Sequence, residues 1–138
     1  IAMEQYGHTR YLRQQIEGFL RYALFIDEAP LPAALEPNVE FSRDFQARAK
    51  RDEHGRSLRD FELNRRLFRF RCSYLLGSTA FAALEPNVQM GVCRRLQHIL
   101  EMDDPGAPFN QLGLSERMAI RSILLATVPN VVRWWRTE

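Results

Sequence analysis

The sequence predicts an all-α fold: an irregular, orthogonal bundle of five or six helices around a central helix with two apolar faces. Three observations predict it. Apolar residues recur at helical spacing in at least four separate stretches. Prolines and small polar residues stand where those stretches begin. Only one short stretch, around Phe68 and Phe70, alternates with the period of a strand.

The first helix is expected from about Glu4 to Ile26. Leu12, Ile16, Phe19, Leu20 and Ala23 form its stripe, and Arg10, Arg13, Gln14, Glu17 and Arg21 lie mostly off it. Gly18 weakens this helix locally and suits a close helix contact. Pro30, Pro32 and Pro37 then forbid a regular helix between Asp27 and Glu40. A short helix fits Phe41 to Lys50, with Ser42 as its cap and Phe41 and Phe45 on one face. A charged turn around Gly55 follows.

Ser57, with Asp60 three residues on, reads as a helix start. The central helix is therefore expected over Leu58–Leu84. Leu58, Phe61, Phe68, Cys72, Leu75 and Leu76 share one face on a helical wheel. Leu63, Leu67, Phe70 and Tyr74 share a nearly opposite one. The alternative is a short strand from Leu67 to Arg71. Glu85-Pro86-Asn87 opens the next helix, which carries Val88, Val92, Leu96, Ile99 and Leu100 to about Met102. A loop through Pro105 and Pro108 precedes a helix capped by Ser115, with Ile120, Ile123, Leu124 and Thr127 buried and Pro129 as its stop. Val131, Val132, Trp134 and Trp135 make the tail apolar enough to dock on the body.

The words Ala33-Ala34-Leu35-Glu36-Pro37-Asn38-Val39 recur at residues 82–88, and Pro129-Asn130-Val131 echoes them. A solenoid would repeat across its whole unit. The preferred reading is a reused device that turns the chain into a new helix.

With 138 residues, 46% apolar and 26% charged, the chain fits one domain with a real core. No apolar run is long enough for a membrane span, and the first residues lack the pattern of a signal peptide. The chain starts at Ile1 rather than Met, which suggests a domain of a longer protein. Cytoplasmic and exported settings both stay open. Cys72 and Cys93 are too few for a disulfide scaffold and read as two small buried apolar residues. A disulfide between them is the alternative for an exported protein.

Net charge is +2, but it is unevenly spread. Residues 1–40 carry net −3, residues 41–71 net +5, and residues 72–138 are balanced. All basic residues but Lys50 are arginines, which bind carboxylate or phosphate with two parallel hydrogen bonds and stack on rings.

No HExxH, GxSxG, phosphate loop, CxxC or EF-hand pattern occurs. His8, His54 and His98 are scattered, and His54 in the charged turn is the best single candidate among them. The candidate binding residues are Arg56, Arg59, Arg65, Arg66, Arg69 and Arg71, with Tyr74 and His54 beside them. Arginines interleaved with Phe61, Phe68, Phe70 and Tyr74 suit nucleic acid. Internal partners such as Glu17, Asp27 and Glu28 suit the same arginines better, because the aromatic residues belong to the core faces.

Gly55-Arg56-Ser57-Leu58-Arg59-Asp60-Phe61, then Arg66-Leu67-Phe68, then Cys72-Ser73-Tyr74-Leu75-Leu76 carry a resemblance. They resemble a helical region near the C-terminus of long bacterial proteins that have no assigned activity. At its widest the resemblance covers residues 41–136. Those relatives often carry proline where this chain has Arg71 and tyrosine where it has Gly77. The proline implies that the central helix is two helices meeting near residue 71.

The expectation is therefore a non-enzymatic protein-interaction or structural accessory domain, without metal or cofactor, whose partner is protein. A nucleic-acid-binding module using residues 56–71 is the alternative. A ligand-binding or enzymatic domain with an arginine-lined pocket is the second.

Overall fold

A computed structural model describes the backbone of residues 2–36 and 38–137. The side chains of residues 1–9, Pro37, Val39 and Glu138 lie outside that description, and the expectations for His8 and Pro37 fall there. The fold is all-α. Six α-helices follow in order among the described residues: α1 (Ala2–Ala23), α2 (Val39–Ala47), α3 (Thr79–Ala82), α4 (Pro86–Glu101), α5 (Leu114–Thr127) and α6 (Pro129–Val132). Two 3₁₀ turns, Tyr74–Gly77 and Phe109–Gln111, join them.

The helix at the centre is α4, which packs against α1, α5 and α6. Its expected stripe is real: Val92, Leu96, Ile99 and Leu100 are buried, as are Ile120, Ile123 and Leu124 of α5. Leu20, Leu24, Phe109, Leu112 and Val131 complete this core, and Trp134 and Trp135 dock on it. Pro86 and Pro129 each stand in the first turn of a helix, where the missing N–H costs nothing. In the first copy of the repeated words, Asn38 caps α2 instead and accepts from the Phe41 N–H at 2.9 Å. All three copies thus lead into a helix, which starts two residues later in the first.

Several boundaries differ from expectation. Helix α1 ends at Ala23, because Phe25 takes a left-handed φ of 55°. The Ile26 and Phe25 N–H groups then bond back to the Arg21 and Tyr22 carbonyls, which closes the helix end. Asn38, not Ser42, caps α2, and α5 starts after Gly113 with no side-chain cap, so Ser115 lies in its first turn. A Cβ added at Gly18 would meet nothing within 4 Å, so no close helix contact is made there. The close approach is at Gly91, where an added Cβ would lie 2.6 Å from Ile16 Cδ1 across the α1–α4 contact.

The largest correction concerns Leu58–Leu84, which is not a helix. The segment folds as a short hairpin with an antiparallel bridge between Phe61 and Phe68, then the 3₁₀ turn, then α3. Side chains capture the N–H groups that a helix would need. Ser57 Oγ accepts from the Arg59 N–H, and Asp60 Oδ2 accepts from the Ser57 N–H. Glu62 accepts from both Arg65 and Arg66 N–H groups, while Ser73 and Ser78 hold Leu75 and Phe81. Such local bonds compete with helical ones. The strand alternative caught the right place, since Phe68 pairs in the hairpin. The segment still packs in two directions. Leu58, Phe70, Cys72, Leu76 and Phe81 enter the core, Phe61 and Phe68 join an aromatic cluster outside it, and Tyr74 packs against both.

Candidate functional site

The hairpin scatters the arginines that the sequence grouped. Arg71 grips Glu116 of α5 through Nε and Nη2, the latter 2.6 Å from Oε1, and its own backbone N–H bonds the same carboxylate at 3.2 Å. Arg66 reaches Glu116 at 3.5 Å. Arg56 bonds Asp52 at 2.8 Å. Arg59 lies over the Phe45 ring at 4.6 Å and donates to the Phe45 carbonyl. Arg65 and Arg69 face solvent, with Arg69 over Phe70. His54 is exposed, 3.6 Å from Glu53.

The internal ion pairs exist, but with other partners than expected. Glu17 binds Arg95 of α4, and Asp27 binds Arg21. The acids that serve residues 51–71 are Asp52, Asp60 and Glu116, because the hairpin folds onto its own neighbours and onto α5.

What the hairpin assembles is an aromatic groove. Phe45 stacks between Phe41 and Phe61, with ring centroids 5.8 and 5.2 Å away. Phe61 stacks on Phe68 across the bridge at 5.4 Å, and Tyr74 meets Phe45 edge-on at 5.2 Å. Leu35, Leu63 and Leu67 line the same groove, which encloses about 350 Å³. The proline connector forms one wall: the Leu31 and Leu35 N–H groups bond the Arg65 and Leu63 carbonyls. Much of this apolar surface is open to solvent. Phe41 is 60% exposed, Leu35 48% and Leu67 40%. Leu63 holds a left-handed φ of 68°, a conformation that leucine rarely adopts.

Glu36 is the one charged residue that lines the groove, while residues 41–71 as a whole carry net +5. Arg43, Arg48, Lys50, Arg65 and Arg69 are exposed, as are Glu36, Glu40, Asp44 and Glu53. Three of the five acids in residues 41–71 are occupied: Asp52 and Asp60 in ion pairs, and Glu62 by two backbone N–H groups. Burial pushes the Asp52 carboxyl up, but the Arg56 backbone N–H, its guanidinium and the His54 N–H outweigh this and hold it below the usual range. The Arg65 and Arg66 N–H groups hold Glu62 below its usual range too.

Sequence reading missed this groove because it placed Phe61 and Phe68 in the core of a helix, opposite Leu63 and Leu67. The alternation of Phe68 and Phe70 with arginines was the available signal. Cys72 and Cys93 are both buried and free, and burial pushes each thiol up to about 12. Among the described residues, no three His, Cys, Asp or Glu side chains are grouped to hold a metal ion, and no helix is long and apolar enough to cross a membrane. No protein-family model, curated protein or solved structure matches this chain.

Proposed function

We propose that this chain is a non-enzymatic protein-interaction domain whose aromatic groove takes an apolar segment flanked by acidic residues. The observation that carries the reading is a contiguous row of phenylalanine and leucine left open to water, with Phe41 60% exposed at its end. A folded domain rarely exposes a contiguous apolar patch without a partner to cover it. Residues 41–71, which supply most of the groove, carry net +5, with Arg43, Arg48, Lys50, Arg65 and Arg69 exposed, and this basic surplus gives the partner's flanks their charge. The left-handed Leu63 supports the same place, since backbone strain is kept where a surface has work to do. The domain's place within a long bacterial protein is part of the same proposal and rests on the motif resemblance alone. Against the nucleic-acid reading, Arg56, Arg66 and Arg71 are engaged by carboxylates.

The test is peptide display against the purified chain, followed by titration of the enriched peptides. Enriched sequences should join an apolar core to Asp or Glu flanks. Their affinity should fall about tenfold or more in the double variant Phe41→Ser/Leu67→Ser, which leaves the buried core untouched, as circular dichroism and melting should show. It should also weaken as salt rises from about 50 to about 300 mM. Equal binding by the double variant sinks the proposal. A single-stranded oligonucleotide that binds as tightly, with steep salt dependence, replaces it with the nucleic-acid reading.

A further inference from the structure

An arginine-lined cleft does exist, but none of the arginines singled out in the sequence lines it. It lies between α4, α5 and the C-terminal tail and encloses about 970 Å³. Arg94, Arg121 and Arg136 face it, with Glu101 as its one carboxylate. Glu101 is already occupied: it accepts from Arg121 Nε at 2.9 Å and from Gln97 Nε2 at 3.5 Å. Arg94 spends only its Nε, on the Trp134 carbonyl at 3.1 Å. The Arg136 side chain donates no hydrogen bond among the described residues, whereas its backbone is fixed. Gln97 donates to the Arg136 carbonyl at 2.7 Å and accepts from the Arg136 N–H at 2.8 Å. The tail is thereby tied to α4 with Arg136 at the mouth of the cleft.

We infer that this cleft binds a small amphipathic anion, a carboxylate or phosphate group on an apolar body. Donors outnumber acceptors in it, and guanidinium groups match the paired oxygens of those anions. Leu125, Val132 and Trp135 supply an apolar wall for the body of the ligand. The volume falls within the range of small-molecule sites. The cleft shares no lining residue with the aromatic groove, so the two readings stand apart.

Trp134 and Trp135 are the only tryptophans in the sequence, so intrinsic fluorescence reports on this cleft. The probe is anilinonaphthalene sulfonate, an amphipathic anion that accepts energy from tryptophan, added to the whole chain. Binding should quench the tryptophans, weaken with salt, and fall about tenfold in Arg136→Gln and further in Arg94→Gln/Arg136→Gln. The single variant removes a side chain with no bond among the described residues, so its folding should match the wild type. Phe41→Ser/Leu67→Ser should leave the quenching intact. Displacement by octanoate and by octyl phosphate reads which head group is preferred. The inference is overturned if Arg136→Gln binds the probe as the wild type does, if salt has no effect, or if quenching is lost in the groove variant instead.

Discussion

Replacing Arg117 with methionine should destabilise the protein more than any surface substitution. Arg117 lies on α5, is 3% exposed and has no carboxylate partner among the described residues. Its guanidinium is held by carbonyls alone. Nε donates to Leu112 O at 3.0 Å, Nη1 to Ile99 O at 3.3 Å and to Met102 O, and Nη2 to Asp103 O at 3.1 Å. Three of these carbonyls belong to the C-terminal end of α4 and the residues just past it, where unpaired C=O groups and the helix dipole favour a cation. Methionine fills much of the same space but donates nothing. The Met102 and Asp103 carbonyls then turn to water, because both residues are exposed. Ile99 and Leu112 are sealed, 0% and 1% exposed, so their carbonyls lose the Arg117 donor in a dry interior. Each such group costs about 1–3 kcal/mol, and methionine recovers only part of the lost packing. Together the loss is about 3–5 kcal/mol, a large share of a domain's ~5–15 kcal/mol. Urea unfolding followed by circular dichroism reads it as a lower midpoint with an unchanged slope, and heating reads it as a melting point about 10–20 °C lower. Arg117→Lys should fall between, since one ammonium cannot reach all four oxygens. A methionine variant within about 0.5 kcal/mol of the wild type would refute the idea that this cation closes the end of α4.

Gly91→Ala should leave stability near that of the wild type, because a penalty of about 1 kcal/mol for moving Ile16 Cδ1, 2.6 Å from the new Cβ, offsets the ~1 kcal/mol that alanine gains over glycine inside α4. Ile16→Ala in the same chain should remove most of the penalty, and a double-mutant cycle without coupling would disprove the contact. Asp52 carries a carboxyl held below its usual range, so its contribution is present above the unfolded pKa and is lost as pH falls through the lower folded value. Acid titration of stability should therefore flatten below about pH 4 in Asp52→Asn relative to wild type; parallel curves would count against it. Cys72 and Cys93 should resist a thiol reagent at pH 8 until denaturant is added, and rapid labelling of the native chain would contradict their burial.

The parts of this fold legible in the sequence are those set by one helix face at a time. Val92, Leu96, Ile99 and Leu100 can be read from spacing alone, and so can Ile120, Ile123 and Leu124. Leu58–Leu84 could not, because its apolar residues fit a helical wheel by coincidence. Ser57 and Asp60 make the same local bonds whether or not a helix follows, so they read as a cap. Glu62 decided otherwise, by holding two N–H groups in a turn. The arginines were legible as a group but not by partner. Arg71 meets Glu116 45 positions away, and Arg95 meets Glu17 78 positions away, distances that no local pattern encodes. Arg117 carries no local signal of its role, since only tertiary packing brings the end of α4 over it. The aromatic groove was missed for the same reason: α2, the proline connector and the hairpin come together only in the folded chain.

The account rests most heavily on the groove between α2 and the hairpin as the docking face. The most direct measurement is an amide chemical-shift map of the labelled chain during titration with an enriched apolar, acid-flanked peptide. The account predicts that the largest shifts fall on residues 35–45 and 61–68, with little change along α5. Shifts centred on α5 and the C-terminal tail, with residues 35–45 and 61–68 unmoved, would contradict it.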